Sequence, residues 1–549
     1  MNNIKKSHGR GKRALINILL TAIVGFALFY IYLPAVNLQN PGIYMFIFVL
    51  AAVFSFLSVV SLGMLKAQSS GIEAWHAIKK HASAPVVICV LLLILLVLGS
   101  VISAPIFRAG AYQKLLKVEE GDFTAEVEEI SFNQIPMLDE ASAMKLGNRK
   151  MGELADMVSQ FEVAGDYTQI NYNSNPVRVT PLIYGDLIKW LNNRSEGLPA
   201  YLIINMVTQE VEVVRLGEGG GMKYSTGEHF QRNLSRLLRF NYPTYMFDTA
   251  TFEIDEEGTP YWIAPRVLKR IGLFGGKDID GAVLVNAVTG ECTYYESADV
   301  PNWVDRVYTA GLIIEQYDYH GLYKNGWLNS MFGQKNVTVT TDGYNYIAIN
   351  DDVYMYTGIT SVSSDESNIG FILANQRTKE TKFYAIAGAE EYSAMSSAEG
   401  VVQQYKYNAT FPLLLNIANQ PTYFMALKDS AGLVKMFAMV NVRQYQLVAY
   451  ATTVAECESN YIQLLAQNDL AAGGRKTDFR AEGIIDEILT AVIDGNTNFY
   501  FRLRGQDYYY VISSSDSEIA VVLKEGDRVI IGSASEEGEI RSAYNIDRA

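Results

Sequence analysis

GAVLVNAVTGECTYY, residues Gly281–Tyr295, is the stretch on which the reading of this chain turns. An apolar run leads into Asn286-Ala287-Val288-Thr289-Gly290-Glu291, and a second run with strand-forming residues follows. Two other segments align with it without gaps: AYLIINMVTQEVEVV (Ala200–Val214) and GFILANQRTKETKFY (Gly370–Tyr384). The shared positions are Asn205, Thr208 and Glu210; Asn286, Thr289 and Glu291; and Asn375, Thr378 and Glu380. A weaker fourth copy, MFAMVNVRQYQLVAY (Met436–Tyr450), keeps Asn441. The spacing is that of a β-hairpin. An Asn before the loop can accept hydrogen bonds from backbone amides in the turn, and Thr does so more weakly. The last loop residue needs a left-handed backbone, which suits Gly290; Gln209 and Lys379 in that place would be strained by about 1 kcal/mol. The Asn/Thr/Glu set therefore has a structural task rather than a catalytic one.

Working outward, helical periodicity stands before or between the hairpins at Leu182–Arg194, Val300–Tyr317 and Ala389–Gln404, and Thr453–Asn468 follows the last one. Asp299 and Pro301 read as the start of the second of these. A second recurring strand, GTPYWIAP (Gly258–Pro265) and NQPTYFMAL (Asn419–Leu427), lies shortly before a hairpin each time. The expected fold class is α+β, with repeated modules of a helix plus a small antiparallel sheet over residues 181–470. A helix followed by a hairpin with the turn Asn286-Ala287-Val288-Thr289-Gly290-Glu291 resembles the PepSY type of cystatin-like repeat. That resemblance implies a noncatalytic role: a propeptide-like inhibitor, a chaperone or a binding module. The whole chain also looks like membrane-anchored proteins of Gram-positive bacteria.

Asn468–Glu482 reads as a linker. Residues 483–549 carry several short strand-like runs, and the turn Lys524-Glu525-Gly526-Asp527-Arg528-Val529 resembles one common in OB-type barrels. An SH3-like barrel or an added sheet fits the same pattern. Tyr508-Tyr509-Tyr510 reads either as strand-surface packing or as an aromatic platform for a peptide or glycan.

The opposite end of the chain is a membrane region. Ala14–Val36, Ile43–Leu65 and Val86–Ala104 carry no charge. At about 1.5 Å per residue they span roughly 28–35 Å, the thickness of a hydrocarbon core. A cleaved signal peptide fits the first poorly, since no small-x-small site precedes Pro34. Residues 1–104 hold eight Lys/Arg (Lys5, Lys6, Arg10, Lys12, Arg13, Lys66, Lys79 and Lys80) against Glu73, a net of +7. The whole chain is −14, so residues 105–549 carry −21. The positive tail and second loop, against an uncharged first loop (Asn37–Gly42), place the N-terminus in the cytoplasm and residues 105–549 outside it. The expected divisions are a cytoplasmic tail (1–13), three membrane helices (14–104), a juxtamembrane mixed segment (105–180), the modules and the barrel. An exported mass so acidic repels phosphate backbones and anionic head groups, which speaks against nucleic acid as a partner. No acid or base lies within the helices, and Asn17 and Thr21 read as interhelical hydrogen-bonding groups, so the helices anchor or assemble rather than transport.

Chemical motifs are sparse. His229 and His320 are the only histidines beyond the membrane region, and neither His-Glu-x-x-His nor Gly-x-Ser-x-Gly occurs. Gly272-Leu273-Phe274-Gly275-Gly276-Lys277 is out of register for a phosphate loop and reads as a plain loop. The acid pairs Asp351-Asp352, Asp365-Glu366 and Glu390-Glu391 read as exposed acids of turns or helix starts. Asp278-Ile279-Asp280-Gly281 is only a fragment of a calcium loop. Cys292 and Cys457 could bridge in an oxidising exterior, or stay as thiols alongside Cys89. The sequence thus nominates no catalytic, cofactor-binding or metal-ligating residue. It points to a membrane-anchored binding or assembly protein whose partners are the lipid bilayer and a protein or peptide. The alternatives are an envelope enzyme whose carboxylates converge only in the fold, and a subunit of a membrane complex.

Overall fold

Four antiparallel sheets follow one another along the chain with the same strand order. In each, two short strands pair with one edge of a long strand, and two further strands extend the sheet from its other edge. The first sheet sets Phe161–Val163 and Thr168–Tyr172 against Asn175–Tyr184, then adds Ala200–Asn205 and Val211–Arg215. The second sets Met246–Phe247 and Thr251–Ile254 against Pro260–Ile271, then adds Gly275–Asn286 and Cys292–Glu296. The third is built on Asp352–Ser361 and the fourth on Gln420–Lys428. The first sheet straddles residue 180. The third gains an outer strand, Val118–Gly121, parallel to Thr381–Tyr384. The computed structural model describes residues 2–548 except 62–82, 130–134, 218, 350, 363–366, 469, 471–478, 494–495, 514–516 and 534–539. Lys66, Lys79, Lys80, Asp365, Glu366 and most of the expected linker lie outside the described residues.

The apolar runs of the hairpins have a direct explanation. Side chains alternate faces along a strand, so an unbroken apolar run needs cover on both sides. Val283 and Val285 join the core shared with the first sheet, whereas Ala282 and Leu284 join the core shared with the third. In the third sheet Ile372 and Ala374 face that same core, while Phe371 and Leu373 pack with the fourth sheet and its helices. The middle two sheets are therefore buried on both faces.

Two helices differ from their sequence reading. Leu182–Tyr184 belongs to the long strand of the first sheet, and the helix is only Leu187–Asn193, capped by Asp186. Of its apolar residues Trp190 is buried, while Leu187, Ile188 and Leu191 are exposed. The helix expected from Val300 begins at Ala310, with Thr309 as its cap. The reason is a distant carboxylate. Glu253 accepts hydrogen bonds from the backbone of Asp305 (2.8 Å) and Arg306 (3.2 Å), which holds this stretch as a loop.

Three helices are long and apolar enough to cross a membrane: Ala14–Tyr32, within a helix that starts at Asn2, then Pro41–Ser61 and Ser83–Ser103. Asn17 donates across to Ser61 (3.0 Å) and Ser58 (3.4 Å) of the second, while Thr21 bonds back to the carbonyl of Asn17. The turn joining the first two helices and the end of the third both meet the second sheet. Gln39 exchanges two 3.0 Å hydrogen bonds with the backbone of Lys269. Ser103 Oγ accepts from the amides of Leu273 and Phe274, both at 3.0 Å. The glycine-rich stretch 272–277 is thus a hairpin tip seated on the third helix.

Five strands, Phe479–Ile493, Asn496–Leu503, Tyr509–Ser513, Arg528–Ser533 and Ile540–Arg548, form a closed barrel. The first pairs with the second and fourth, and the third lies parallel to the fifth. Phe501, Val529, Ile531 and Ile546 fill it.

Candidate functional site

The hairpin residues singled out by the sequence make local turns. The Oδ1 of Asn286 accepts from the amides of Val288 (3.0 Å) and Thr289 (2.9 Å), and Thr289 Oγ1 accepts from Glu291 N (3.2 Å). Asn205 and Asn375 do the same, and so does Asn441 toward Arg443 and Gln444 (3.0 and 2.9 Å). Gln209, Gly290 and Lys379 all hold a left-handed backbone (φ 63°, 77° and 67°). A Cβ on Gly290 would stand 2.4 Å from the Tyr224 ring, so that position needs glycine on two grounds. Lys379 has a compensation the sequence hides: its ammonium meets Asp278 at 2.6 Å and ties the third sheet to the second. Burial pushes the Asp278 carboxyl up, but the Lys379 charge and hydrogen bond outweigh it and hold it below the usual range. Asn375→Ala is expected to cost about 2 kcal/mol, against about 1 for Asn286→Ala. Asn375 is buried and also donates to Asp352, so its loss strands more partners; chemical denaturation of both variants checks the order.

The acid pairs are not all exposed. Glu391 is fully buried, accepting from Thr341 (3.1 Å) and Asn368 (3.4 Å), and burial raises its carboxyl above the usual range. Asp352 forms a two-pronged ion pair with Arg377 at 2.8 and 2.9 Å. His229 rests edge-on against Trp190, and His320 Nδ1 lies 3.2 Å from the Gln113 carbonyl oxygen, its ring held below its usual pKa by burial. Cys89, Cys292 and Cys457 are free thiols. In the barrel, Tyr510 is buried, Tyr509 donates to Glu487 (2.6 Å) and the Arg541 guanidinium covers Tyr508 at 3.3 Å. Tyr508 and Tyr509 are half-buried. No group of His, Cys, Asp and Glu suited to a metal occurs among the described residues.

What the sequence missed is a cavity of about 460 Å³ where the sheets converge. Its walls include Arg178 of the first sheet, Phe252 and Trp262 of the second, Arg306 from the loop before the third, Tyr346 of the third, and Phe411. Arg178 is only 6% exposed; one nitrogen donates to Tyr167 O (3.1 Å), while its buried Nε has no partner. Burial pulls the guanidinium below its usual pKa. The buried Tyr167 hydroxyl, also on the wall, is unpartnered and is pushed up to about 12 by burial. The Arg306 guanidinium lies 4.4 Å over the Tyr346 ring and bonds its hydroxyl. Asp139, Glu140 and Asp166 also line the space. Asp139 is engaged by Lys428 at 2.6 Å; burial pushes its carboxyl up, and that ammonium brings it below the usual range.

Behind the wall sit two buried acids. Glu253 accepts the backbone amides of Asp305 and Arg306, and Asp305 accepts that of Asn171 at 2.6 Å. Burial raises Glu253 to about 7; burial, and then the Glu253 charge, raise Asp305. The pair links the first sheet, the second and the Arg306 loop, and so places Arg306 in the cavity. One sequence signal could have marked the site: Arg178 interrupts the apolar run PVRVTPLIY, where a solvated strand face is not expected. No protein-family model matches the chain, and no curated protein matches it.

Proposed function

We propose that this is a noncatalytic, membrane-anchored binding protein of the cell envelope, its mass from residue 105 outside the cytoplasm, and that the central cavity receives a peptide segment. The observation that carries the reading is the Arg178 guanidinium, which has no ion-pair partner among the described residues, on the wall of a cavity lined by aromatic rings. A buried guanidinium seeks a carboxylate, the wall acids suit an ammonium, and the rings offer apolar contact. Three of the four oxygens of the buried Glu253–Asp305 pair accept from backbone amides and neither residue lines the cavity, which favours binding over hydrolysis.

Two finer assignments belong to the same reading. Four sheets with one strand order and a common Asn-based turn support PepSY-type repeats. A five-stranded barrel ordered first-second-third-fifth-fourth supports an OB-type module. Its acidic balance, 12 Asp/Glu against 6 Lys/Arg over residues 483–549, suits protein rather than nucleic acid. The membrane anchorage rests on three apolar helices and the orientation on loop charge.

The test is calorimetric titration of the full-length chain with short peptides bearing free or amidated C-termini. Binding should need the free carboxylate and weaken at least about tenfold in Arg178→Met, the worth of one charge-assisted hydrogen bond. Equal binding of amidated peptides, or none of either kind, overturns it. Trypsin added to sealed protoplasts should degrade residues 105–549; their survival until detergent is added overturns the orientation.

A further inference from the structure

We propose that a second cavity, between the first two membrane helices and the folded body, holds one anionic phospholipid of the surrounding bilayer, with an acyl chain between the helices and the phosphate on Arg239. This cavity measures about 700 Å³. Leu28 and Tyr32 of the first helix, Met45, Phe46 and Val49 of the second, and Arg239 of the body line it. From Gly42 to Val49 the second helix rises about 10 Å, so the space runs along the helix toward the bilayer interior. A void with apolar walls beside hydrocarbon fills with hydrocarbon, because an unfilled wall forfeits its dispersion contacts.

Arg239 fixes the chemistry of the head group. It is buried, and its Nε donates to the Leu33 carbonyl (2.9 Å) while Nη1 donates to those of Tyr242, Pro243 and Tyr245. Among the described residues no carboxylate pairs with it. Carbonyl dipoles hold the group in place but leave its charge uncancelled, and burial alone lowers its pKa, to about 10. A phosphate supplies the missing charge and accepts from a guanidinium in a two-pronged geometry.

The neighbourhood repeats the pattern. Residues 229–247 hold Arg232, Arg236 and Arg239 and no acid, within a mass whose net charge is −21. Arg236 lies 4.2 Å over the Tyr30 ring at the end of the first membrane helix and donates to its carbonyl at 3.3 Å. Net repulsion of anionic head groups by the acidic mass is screened within about 8 Å at physiological salt. This short basic stripe therefore sets the local field where the body meets the bilayer.

Native mass spectrometry of the full-length chain, released from nanodiscs of equimolar phosphatidylglycerol and phosphatidylcholine, tests this. The wild type should retain one phosphatidylglycerol with about tenfold preference, equal to about 1.4 kcal/mol. Arg239→Gln should bring the preference to parity and Arg239→Lys should keep most of it. Val49→Trp, which puts an indole in the path of the acyl chain and leaves the guanidinium intact, should remove the retained lipid. Should Arg239→Gln not fold, Val49→Trp decides alone. Retention without head-group preference, or Val49→Trp behaving as wild type, overturns the proposal.

Discussion

Glu253→Ala is expected to destabilise the folded body by about 3 kcal/mol at pH 5 and by less at pH 8. The Glu253 side chain is fully buried and satisfies the amides of Asp305 and Arg306 and the Thr251 hydroxyl. Alanine strands two backbone donors and frees the loop that carries Arg306. The pH arm follows from the direction of the shift. With its carboxyl raised to about 7, the folded chain holds a proton that the unfolded chain releases near pH 4.5. Stability is then fully present below about pH 4.5 and falls as pH rises through about 7, by roughly 3 kcal/mol in all. Asp305, raised for the same reasons, acts in the same direction. Thermal unfolding between pH 5 and 8 should show this decline in the wild type and a flatter curve in Glu253→Gln. An unchanged slope in both Glu253→Gln and Asp305→Asn would place its origin elsewhere.

The second large effect is expected at the membrane end. Gly99, on the third helix, is buried under the hairpin tip of the second sheet. A Cβ there would stand 2.7 Å from the Phe274 ring and 3.0 Å from Leu273. Gly99→Leu is expected to cost about 1–3 kcal/mol of docking, because the added side chain meets the Phe274 ring, which already packs edge-on against Tyr44. The Ser103 hydroxyl would lose the two amides it now accepts from. Limited proteolysis of the full-length chain in nanodiscs should expose residues 272–276 in Gly99→Leu and spare them in the wild type. Equal protection of the two would mean that the tip is not seated on the helix.

Features set by neighbours in the chain were legible in advance. Asn205, Asn286 and Asn375 announced their turns because each bonds amides two and three residues on. The helical pattern read at Thr453–Asn468 is observed as the helix Val454–Gln467, with Thr453 as its cap. Val300–Tyr317 misled because its first half answers to Glu253, roughly fifty residues away, rather than to its own pattern. Glu391 reads as a surface acid because its partners are distant in sequence: Thr341, just past the strand Thr338–Thr340, and Asn368, in a separate two-stranded sheet. The central cavity was invisible for the same reason: its walls come from separate parts of the chain between Asp139 and Phe411. Arg239 gave a fainter signal, a run of arginines without acids inside an acidic mass.

By itself the sequence determined the long uncharged helices and the hairpin turns, because hydrophobic length, strand alternation and Asn-to-amide bonding act over a few residues. Only the tertiary structure decided which charges are stranded. Whether Arg178, Arg239 or Glu253 meets water, a counter-charge or a carbonyl depends on which distant segment packs over it, and burial is what turns an ordinary ionisable side chain into a site.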